Sequence, residues 1–232
     1  MDDTLKTPEN PGKSAEIDGF DEVRAALLAQ LLTIAAFDGW TSISLEQAAS
    51  EAGVDPAARR AAFPAGIGDV LRYWSEAADA EMTTAMGAPE FAGLKIRQKV
   101  AFAVRARLDA LRPHKEAARR AAALMTLPTH GLLGARLAWK TSDAIWRGLG
   151  DKSTDFNFYS KRGILTGVWT STFARWMSDD SEDEAATNAF LDARIDNVMQ
   201  IEKAKAKVRD LDLDPARPIA WLAKLRYRAG QS

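Results

Sequence analysis

The chain has 232 residues, of which 47% are hydrophobic, and this is enough to form the core of one medium-sized domain. It contains no cysteine, which excludes disulfide bonds, thiolate metal sites and a cysteine nucleophile. The 31 basic and 32 acidic residues give a net charge of -1, so the chain as a whole is not drawn to nucleic acid or to anionic lipid.

Residues 1–18 are polar and include Pro8, Pro11 and Gly12 together with several acids. This composition differs from that of an Arg-rich transit peptide and from that of a secretory signal with its apolar core. We therefore expect a disordered lead-in. The chain also has no uncharged apolar run of about 18 residues, so no transmembrane helix is predicted.

Apolar residues recur at steps of three and four from Phe20 to Ile34, which predicts an amphipathic helix that ends near Asp38. Ser44 is followed three residues later by Gln47, which is the spacing of a capping box. A second, short helix is therefore predicted to start at Ser44.

A third short helix is predicted after Gly53, because Asp55 is a good N-cap and Pro56 suits the first turn. It ends at Ala62, before the turn at Phe63-Pro64. Two short helices joined by a glycine-containing turn are typical of a helix-turn-helix.

Longer periodic segments follow, and none has the alternation of a strand; they cover 67–86, 94–111, 114–125, 131–149, 154–177 and 182–208. The predicted fold is all-α, with about nine helices, an amino-terminal helix-turn-helix and a tenth, carboxy-terminal amphipathic helix. The predicted organisation is a lead-in at 1–18, a helix-turn-helix head at 19–86, a helical body at 87–209, and a linker with an amphipathic helix at 210–232.

The segment 150–162 crowds aromatic, acidic and basic side chains around a predicted helix start. Asp155 lies in the first predicted turn, where the unpaired amides and the helix dipole favour a carboxylate. Phe156, Phe158 and Tyr159 cannot all face one side of a helix, since successive residues are turned by about 100°. At least one of these rings should therefore line a surface other than the core.

Residues 153–162, Ser-Thr-Asp-Phe-Asn-Phe-Tyr-Ser-Lys-Arg, and residues 123–128, Ala-Leu-Met-Thr-Leu-Pro, carry a family resemblance. They resemble, in order and spacing, two motifs of the lipid-binding accessory protein family of ubiquinone biosynthesis, the ninth protein of the coenzyme Q pathway. Phe158 stands where that family usually has tryptophan, and Thr129-His130 replaces a His-Asn pair.

The head of the chain resembles the amino-terminal domain of TetR-type regulators. Gly53-Val54, Phe63-Pro64 and Leu71 occupy the matching positions. Those regulators use their later helices as a ligand pocket and dimer face, and the accessory family is similar to them in fold. The two resemblances therefore imply one architecture and two different functions.

The family resemblance implies a non-catalytic protein that binds a polyprenylated quinone precursor between its helices. The apolar residues predicted to hold the lipid are Leu124, Leu133, Leu137, Ile164, Val168, Trp169 and Phe173. Such residues are core by default. The glycines among them, notably Gly131, Gly134, Gly163 and Gly167, allow either close helix packing or space for a ligand.

The same resemblance implies a protein partner, the di-iron demethoxyubiquinone hydroxylase, to which the lipid is presented. The residues predicted to contact this hydroxylase are Met125, Leu127, Asp155, Phe158, Tyr159 and Arg162. Each also has an ordinary alternative role, as a helix cap, a core residue or a solvated charge.

The carboxy-terminal tail after Pro215 has four basic residues and no acid. On a helical wheel its apolar residues share one side and its cations lie beside them, a pattern typical of a helix that lies in the membrane interface. The residues predicted to bind the membrane are Ile219, Trp221, Leu222, Leu225, Lys224 and Arg228. The alternative is that this helix docks on the protein's own body.

A TetR-type transcriptional repressor that responds to an apolar ligand is the alternative function. Arg59 and Arg60 of the third helix would contact DNA, but the alanines around them offer no further donors to bases or phosphates. The turn after Phe63-Pro64 also lacks basic residues, so counterion release would be weak. Nucleic acid is therefore not expected as a partner.

Catalysis finds little support in the sequence. His114 and His130 are the only histidines, and neither belongs to a metal-ligand pair. The chain has no nucleophile elbow and no Gly-rich phosphate loop. We therefore predict a protein that is not an enzyme and has no metal and no cofactor. We expect it to be cytoplasmic, peripherally associated with the inner membrane, and a homodimer that pairs through its long final helices.

Overall fold

The computed structural model describes residues 11–154 and 156–210, with the side chains of 19–154 and 157–200. Every regular element in these ranges is helical, which confirms the all-α prediction. The helices are α1 (Pro11–Asp38), α2 (Ser42–Glu51), α3 (Pro56–Ala62), α4 (Ile67–Met86), α5 (Pro89–Ala92), α6 (Ile96–Leu111), α7 (Lys115–Met125), α8 (Gly131–Gly148), α9 (Phe156–Met177) and α10 (Ala185–Asp210). Short 3-10 helices, Arg112–His114 and Glu182–Glu184, precede α7 and α10.

The first helix buries the apolar face that its periodicity predicts. Leu27, Leu31 and Ala35 are fully buried on that face. The helix begins at Pro11, inside the segment expected to be a disordered lead-in. Proline is tolerated in the first turn of a helix, and the residues that follow it include the good helix formers Lys and Ala.

The second helix starts earlier than its sequence predicts, and the predicted capping box at Ser44 is wrong. Thr41 is the N-cap, and its side chain accepts a hydrogen bond of 3.0 Å from the backbone amide of Ser44. Ser44 is buried inside the helix, and the Gln47 amide donates to Glu51. Two hydroxyl residues three positions apart offer alternative caps, and the sequence pattern does not distinguish between them.

The third helix has the start that its sequence predicts. The Asp55 carboxylate accepts hydrogen bonds from the amides of Ala57 at 2.8 Å and Ala58 at 3.0 Å. Gly53, in the turn before it, has φ of +66°, a conformation that L side chains rarely adopt. The helix-turn-helix is therefore present as predicted.

Helix α4 connects the head to the body, because it packs against both α6 and α8. Helix α9 packs against α8 and α10, and α10 returns to α6. The sequence places the long helices to within a few residues of their observed bounds. Before α10, the Asp179 carboxylate accepts hydrogen bonds from the backbone amides of Ser181 and Thr187 and so links the acidic segment 179–184 to the start of α10.

Trp40, at the start of the helix-turn-helix, joins the head to the body. Its indole Nε1–H donates a 2.9 Å hydrogen bond to the carbonyl of Ala117 on α7. Its ring stacks on Trp74 of α4 with the ring centroids 5.2 Å apart. The head is therefore fixed to the helices that follow it.

None of the described helices is both long and apolar enough to cross a membrane. The predicted tail residues lie outside the described ranges; they are Ile219, Trp221, Leu222, Leu225, Lys224 and Arg228.

Candidate functional site

An apolar cavity of about 320 Å³ lies between α4, α6, α7, α8 and α9. Its apolar wall consists mainly of Leu71, Trp74, Leu111, Met125, Leu137, Trp169 and Phe173, with several alanines and glycines. Ser75, Arg107, Thr126, Thr141 and Thr170 are the polar residues of the lining. A concave, mostly apolar site with a few polar groups is the usual form of a small-molecule binding site.

The cavity exists because small residues face each other across two helices. Helix α7 contributes Ala118, Ala121 and Ala122, and α8 contributes Gly134 and Ala138. Side chains of this size cannot fill the space between helices whose backbones are held apart by larger residues elsewhere. The small residues of α7 and α8 therefore leave an open volume between helices, where larger side chains fill the core of most proteins.

Met125 closes part of this volume against α8. A Cβ atom placed on Gly134 would lie only 3.0 Å from the Cβ of Met125, so the glycine permits this close approach. The glycine thus has a packing role, one of the two alternatives that the sequence leaves open. Met125 itself is half-buried and lines the cavity.

The residues that line the cavity differ in exposure. Thr126, Ala135 and Thr170 are exposed, and the part of the cavity that they line is called its mouth. Arg107 and Thr141 are buried, and the part that they line is called its inner end. A ligand would therefore enter between α7, α8 and α9 and reach polar groups on α4, α6 and α8.

A buried ion pair forms the polar part of the inner wall. The Arg107 Nε atom donates a 2.6 Å hydrogen bond to Oδ1 of Asp79, and the Thr141 hydroxyl donates to the same oxygen at 2.8 Å. Burial lowers the pKa of Arg107, and the neighbouring Asp79 opposes this shift. The guanidinium also lies 5.5 Å from the ring centroid of Trp169.

Sequence reasoning did not identify Arg107, although a signal was present. Arg107 lies between Val104, Leu108 and Leu111, which are all buried on the same face of α6. A charged residue at an apolar-face position is seldom buried unless it has a partner or a function. The contribution of Leu71 and Trp74 to the cavity was also missed, because α4 was assigned to the head.

A second apolar groove of about 270 Å³ lies between α6, α9 and α10. Ile164 and Val168, which were predicted to hold lipid, line this groove and not the cavity. Leu137, Trp169 and Phe173 do line the cavity. The predicted lipid set is divided because the two groups lie on different sides of α9, and periodicity does not tell which neighbour each side faces.

The other members of the predicted lipid set, Leu124 and Leu133, are half-buried against the core. Neither is among the residues that line the cavity. Leu133 reaches the start of α4. Its Cδ2 atom lies 3.8 Å from the position that a Cβ atom would occupy if Gly68 were replaced by a larger residue.

The predicted partner residues fall into exposed and buried groups. Tyr159 is 63% exposed and Leu127 is 49% exposed, so both side chains can be reached from solution. Leu127 directly follows Thr126 at the cavity mouth. Phe158 is half-buried and packs edge-on against Tyr159, whose ring also lies 6.4 Å from that of Trp139. Asp155 lies outside the described residues.

Arg162 is not on the surface, contrary to expectation. Its side chain is 2% exposed and forms ion pairs with Asp143 at 2.5 Å and Asp151 at 3.1 Å. Its guanidinium also lies 3.5 Å from the centroid of the Phe158 ring. A hydrogen bond from Lys161, assisted by Ser153 and Arg162, holds the pKa of Asp151 well below its usual range. The cluster fixes the turn before α9 to α8.

The recognition helix of the helix-turn-helix offers few free cations. Arg59 pairs with Glu46 at 3.5 Å and is largely covered, while Arg60 is exposed.

Among the residues that the structure describes, no three His, Asp or Glu side chains come together as a metal ion would require. The predicted homodimer stays a prediction.

Comparison with known proteins identifies similar chains. The COQ9 family model matches residues 132–202, which include most of α8, all of α9 and part of α10. Probable ubiquinone biosynthesis protein coq9, mitochondrial, of Dictyostelium discoideum is 26% identical over 82% of this chain and 64% of its own length. The rat (Rattus norvegicus) ubiquinone biosynthesis protein COQ9, mitochondrial, is 26% identical over 88% of this chain and 67% of its own length. The chain resembles the COQ9 family, as its sequence predicted.

The chain spans about two thirds of the length of these COQ9 relatives. The matched segment supplies one wall of the cavity, including Leu137, Trp169 and Phe173. It also contains Phe158 and Tyr159. The matched segment therefore contains part of the predicted lipid set and part of the predicted partner set, while Leu124, Met125 and Leu127 lie before it.

A solved structure confirms the predicted TetR-like architecture. The TetR transcriptional regulator from Nitrosomonas europaea ATCC 19718 has a TM-score of 0.64 with this chain and covers 75% of it and 97% of its own length. The sequence identity is 20%, so this likeness shows the fold alone.

Proposed function

We propose that this chain is a non-catalytic accessory protein of ubiquinone biosynthesis, which binds a polyprenylated quinone precursor and presents it to the demethoxyubiquinone hydroxylase. The observation that carries the proposal is the apolar cavity, one wall of which comes from the helices that match the COQ9 family. Burial of an apolar ligand in such a site is favourable by roughly 25 cal/mol per Å² of surface removed from water.

The size of the cavity limits how much of the lipid it holds. An engineered cavity of about 150 Å³ takes one benzene molecule. A volume of about 320 Å³ therefore accommodates a ring and the first part of a prenyl tail. The remainder of the tail would leave through the mouth beside Thr126 and Ala135.

The hydroxylase would dock next to this mouth. Exposed Leu127 and Tyr159 supply apolar and aromatic contact area, and interfaces are enriched in such aromatic anchors. Met125, between Leu127 and the cavity, would link the partner surface to the ligand. Phe158 and Asp155 complete the proposed contact, while buried Arg162 would act only by supporting Phe158.

Membrane attachment is proposed through the carboxy-terminal tail. Four cations and a tryptophan-containing apolar face give reversible attachment, with each cation adding about 1 kcal/mol near an anionic surface. A truncation after Asp214 should reduce binding to anionic vesicles while leaving the helical content of the protein intact.

The cavity assignment is tested with a matched pair of substitutions on α7. Ala122 lines the cavity, whereas its neighbour Ala123 is exposed. In a strain that lacks this gene, Ala123→Leu should restore ubiquinone, and Ala122→Leu should restore it poorly, with build-up of the demethoxy precursor. Mass spectrometry of the quinones gives the readout.

Equal rescue by both variants would contradict a role for the cavity. A deletion strain with an unchanged quinone profile would contradict the pathway itself. In that case, salt-sensitive and sequence-specific DNA binding that is lost in Arg60→Ala would favour the repressor alternative.

The partner surface is tested by removing one exposed aromatic side chain at a time. Tyr159→Ala should weaken binding of the purified hydroxylase, because a central aromatic anchor often contributes about 2 kcal/mol or more. Phe37→Ala is the control, since Phe37 is 76% exposed on α1 in the head. Unchanged binding by Tyr159→Ala, or an equal loss in both variants, would reject this surface.

A further inference from the structure

Arg107 has an unusual hydrogen-bond state at the inner end of the cavity. Its side chain is only 4% exposed. The Nε atom donates to Asp79, and Nη2 donates to the carbonyl and the hydroxyl of Ser75 at 3.2 and 3.1 Å. The remaining terminal nitrogen, Nη1, is buried and has no hydrogen-bond partner among the described residues.

An unpaired donor at this position calls for an explanation. The large majority of buried side-chain polar atoms in folded proteins have a hydrogen-bond partner. Leaving a charged donor without a hydrogen bond is especially unfavourable, because the donor has given up its bonds to water, and the nearby Trp169 ring supplies no acceptor oxygen or nitrogen. Arg107 lines the cavity, so an acceptor that enters the cavity is the simplest partner for Nη1.

The charge of the inner end selects the kind of acceptor. Asp79 lies against the guanidinium at 2.6 Å and offsets its positive charge. A second carboxylate or a phosphate would lose its hydration and also lie close to Asp79. An uncharged oxygen gains the hydrogen bond without either cost, so a carbonyl or a ring hydroxyl is favoured over an anion.

The rest of the cavity fixes the direction of the ligand. The Trp169 ring lies 5.5 Å from the Arg107 guanidinium, Trp74 and Phe173 also line the cavity, and the mouth lies at the exposed residues Thr126 and Ala135. An aromatic or quinonoid ring fits beside these rings, whereas a longer hydrocarbon tail must extend to the mouth.

We propose that Arg107 anchors an uncharged oxygen of an amphiphilic ring compound, which enters the cavity head first and leaves its tail in the mouth. The identification of that compound as a quinone or phenol with an isoprenoid tail rests on the proposed function. The anchor itself rests on the unpaired Nη1 donor. Arg107 thereby makes the cavity bind a ring that carries oxygen more tightly than a ring without oxygen.

The test compares two probes with the same geranyl tail on a six-membered ring: geranylbenzoquinone, which has two ring carbonyls, and geranylbenzene, which has no oxygen. Binding to the purified full chain is measured by isothermal titration calorimetry. The wild-type protein should bind the quinone more tightly. Arg107→Lys keeps a cation opposite Asp79 but supplies a single nitrogen, so it should weaken quinone binding about tenfold, the equivalent of one charge-assisted hydrogen bond.

A second variant and a control keep the test decisive. Arg107→Met combined with Asp79→Asn removes both charges together and should show the same loss for the quinone. Arg105→Lys is the matched control, because Arg105 lies on the same helix and pairs with Asp192 outside the cavity. Geranylbenzene should bind all four proteins alike. Circular dichroism and thermal unfolding identify any variant that does not fold.

The other outcomes separate the anchor from the proposed function. If the folded Arg107 variants bind both probes as the wild type does, or lose both equally, the anchor is wrong while the cavity still binds lipid. If the carboxylate 4-geranylbenzoate binds more tightly than the quinone and depends on Arg107, the preference for an uncharged oxygen is wrong. If the wild-type protein binds none of the probes, the proposed lipid-binding function fails together with the anchor.

Discussion

Arg162 should be one of the most destabilising residues to replace, and Arg162→Met is the variant that shows it. The guanidinium is 2% exposed and pairs with Asp143 on α8 and with Asp151 in the turn before α9. Methionine keeps much of the length and apolar volume of the side chain but leaves both carboxylates without their buried cation. Loss of one partner from a buried ion pair typically costs about 3–5 kcal/mol.

The structure places this variant at the lower end of that range. Asp143 would keep Arg147 at 2.7 Å, and Asp151 would keep Lys161 at 2.8 Å. We therefore expect a loss of about 3 kcal/mol in the free energy of unfolding. For a chain of this size, that corresponds to a fall in melting temperature of about 6–12 °C.

Arg147→Met is the matched control for this experiment. Arg147 pairs with the same Asp143 carboxylate but its side chain is 74% exposed, so its removal should cost less than about 1 kcal/mol. Urea unfolding followed by circular dichroism gives both free energies. Equal losses in the two variants would refute the argument that burial, and not the ion pair alone, makes Arg162 important.

Further predictions concern the head and its contacts. Gly53→Ala should lower the free energy of unfolding by about 1 kcal/mol through backbone strain alone, because no atom lies within 4 Å of the added Cβ; an unchanged urea midpoint would contradict this. Trp40→Phe keeps an aromatic ring but removes the indole hydrogen bond to the carbonyl of Ala117, so urea unfolding should show a loss of about 0.5–1.5 kcal/mol, and a neutral result would mean that this bond adds no net stability. Backbone hydrogen bonds lower the pKa of Asp55, so its stabilisation is present above the unfolded pKa and is lost as the pH falls through the folded pKa. Asp55→Asn should keep the cap and flatten the acid side of the stability curve, whereas an unaltered curve would assign that dependence to other carboxylates.

The fold was predictable from the sequence because its signals are local. The apolar steps of α1 and the cap at Asp55 each act within one or two turns of helix. The error at Ser44 is also local, because Thr41 offers an equivalent hydroxyl one turn earlier. Such ambiguities shift the boundary of an element without changing its type.

The candidate site was only partly predictable, because it depends on which helices meet. Trp169 lines the cavity, whereas Ile164, predicted from the same pattern, lines the groove between α6, α9 and α10. The burial of Arg162 depends on Asp143, nineteen residues earlier in the chain, and no spacing rule relates the two. Arg107 was missed because its partner Asp79 comes from α4, which the sequence assigned to a separate head.

The sequence predicts a boundary between head and body after residue 86, but α4, which ends at that residue, contributes to both parts. This helix completes the helix-turn-helix head, and it also supplies Leu71 and Trp74 to the cavity wall and Asp79 to its buried ion pair. A fragment that ends there would expose these apolar side chains and leave a carboxylate without its cation. We therefore expect the head and the body to unfold together, in a single transition.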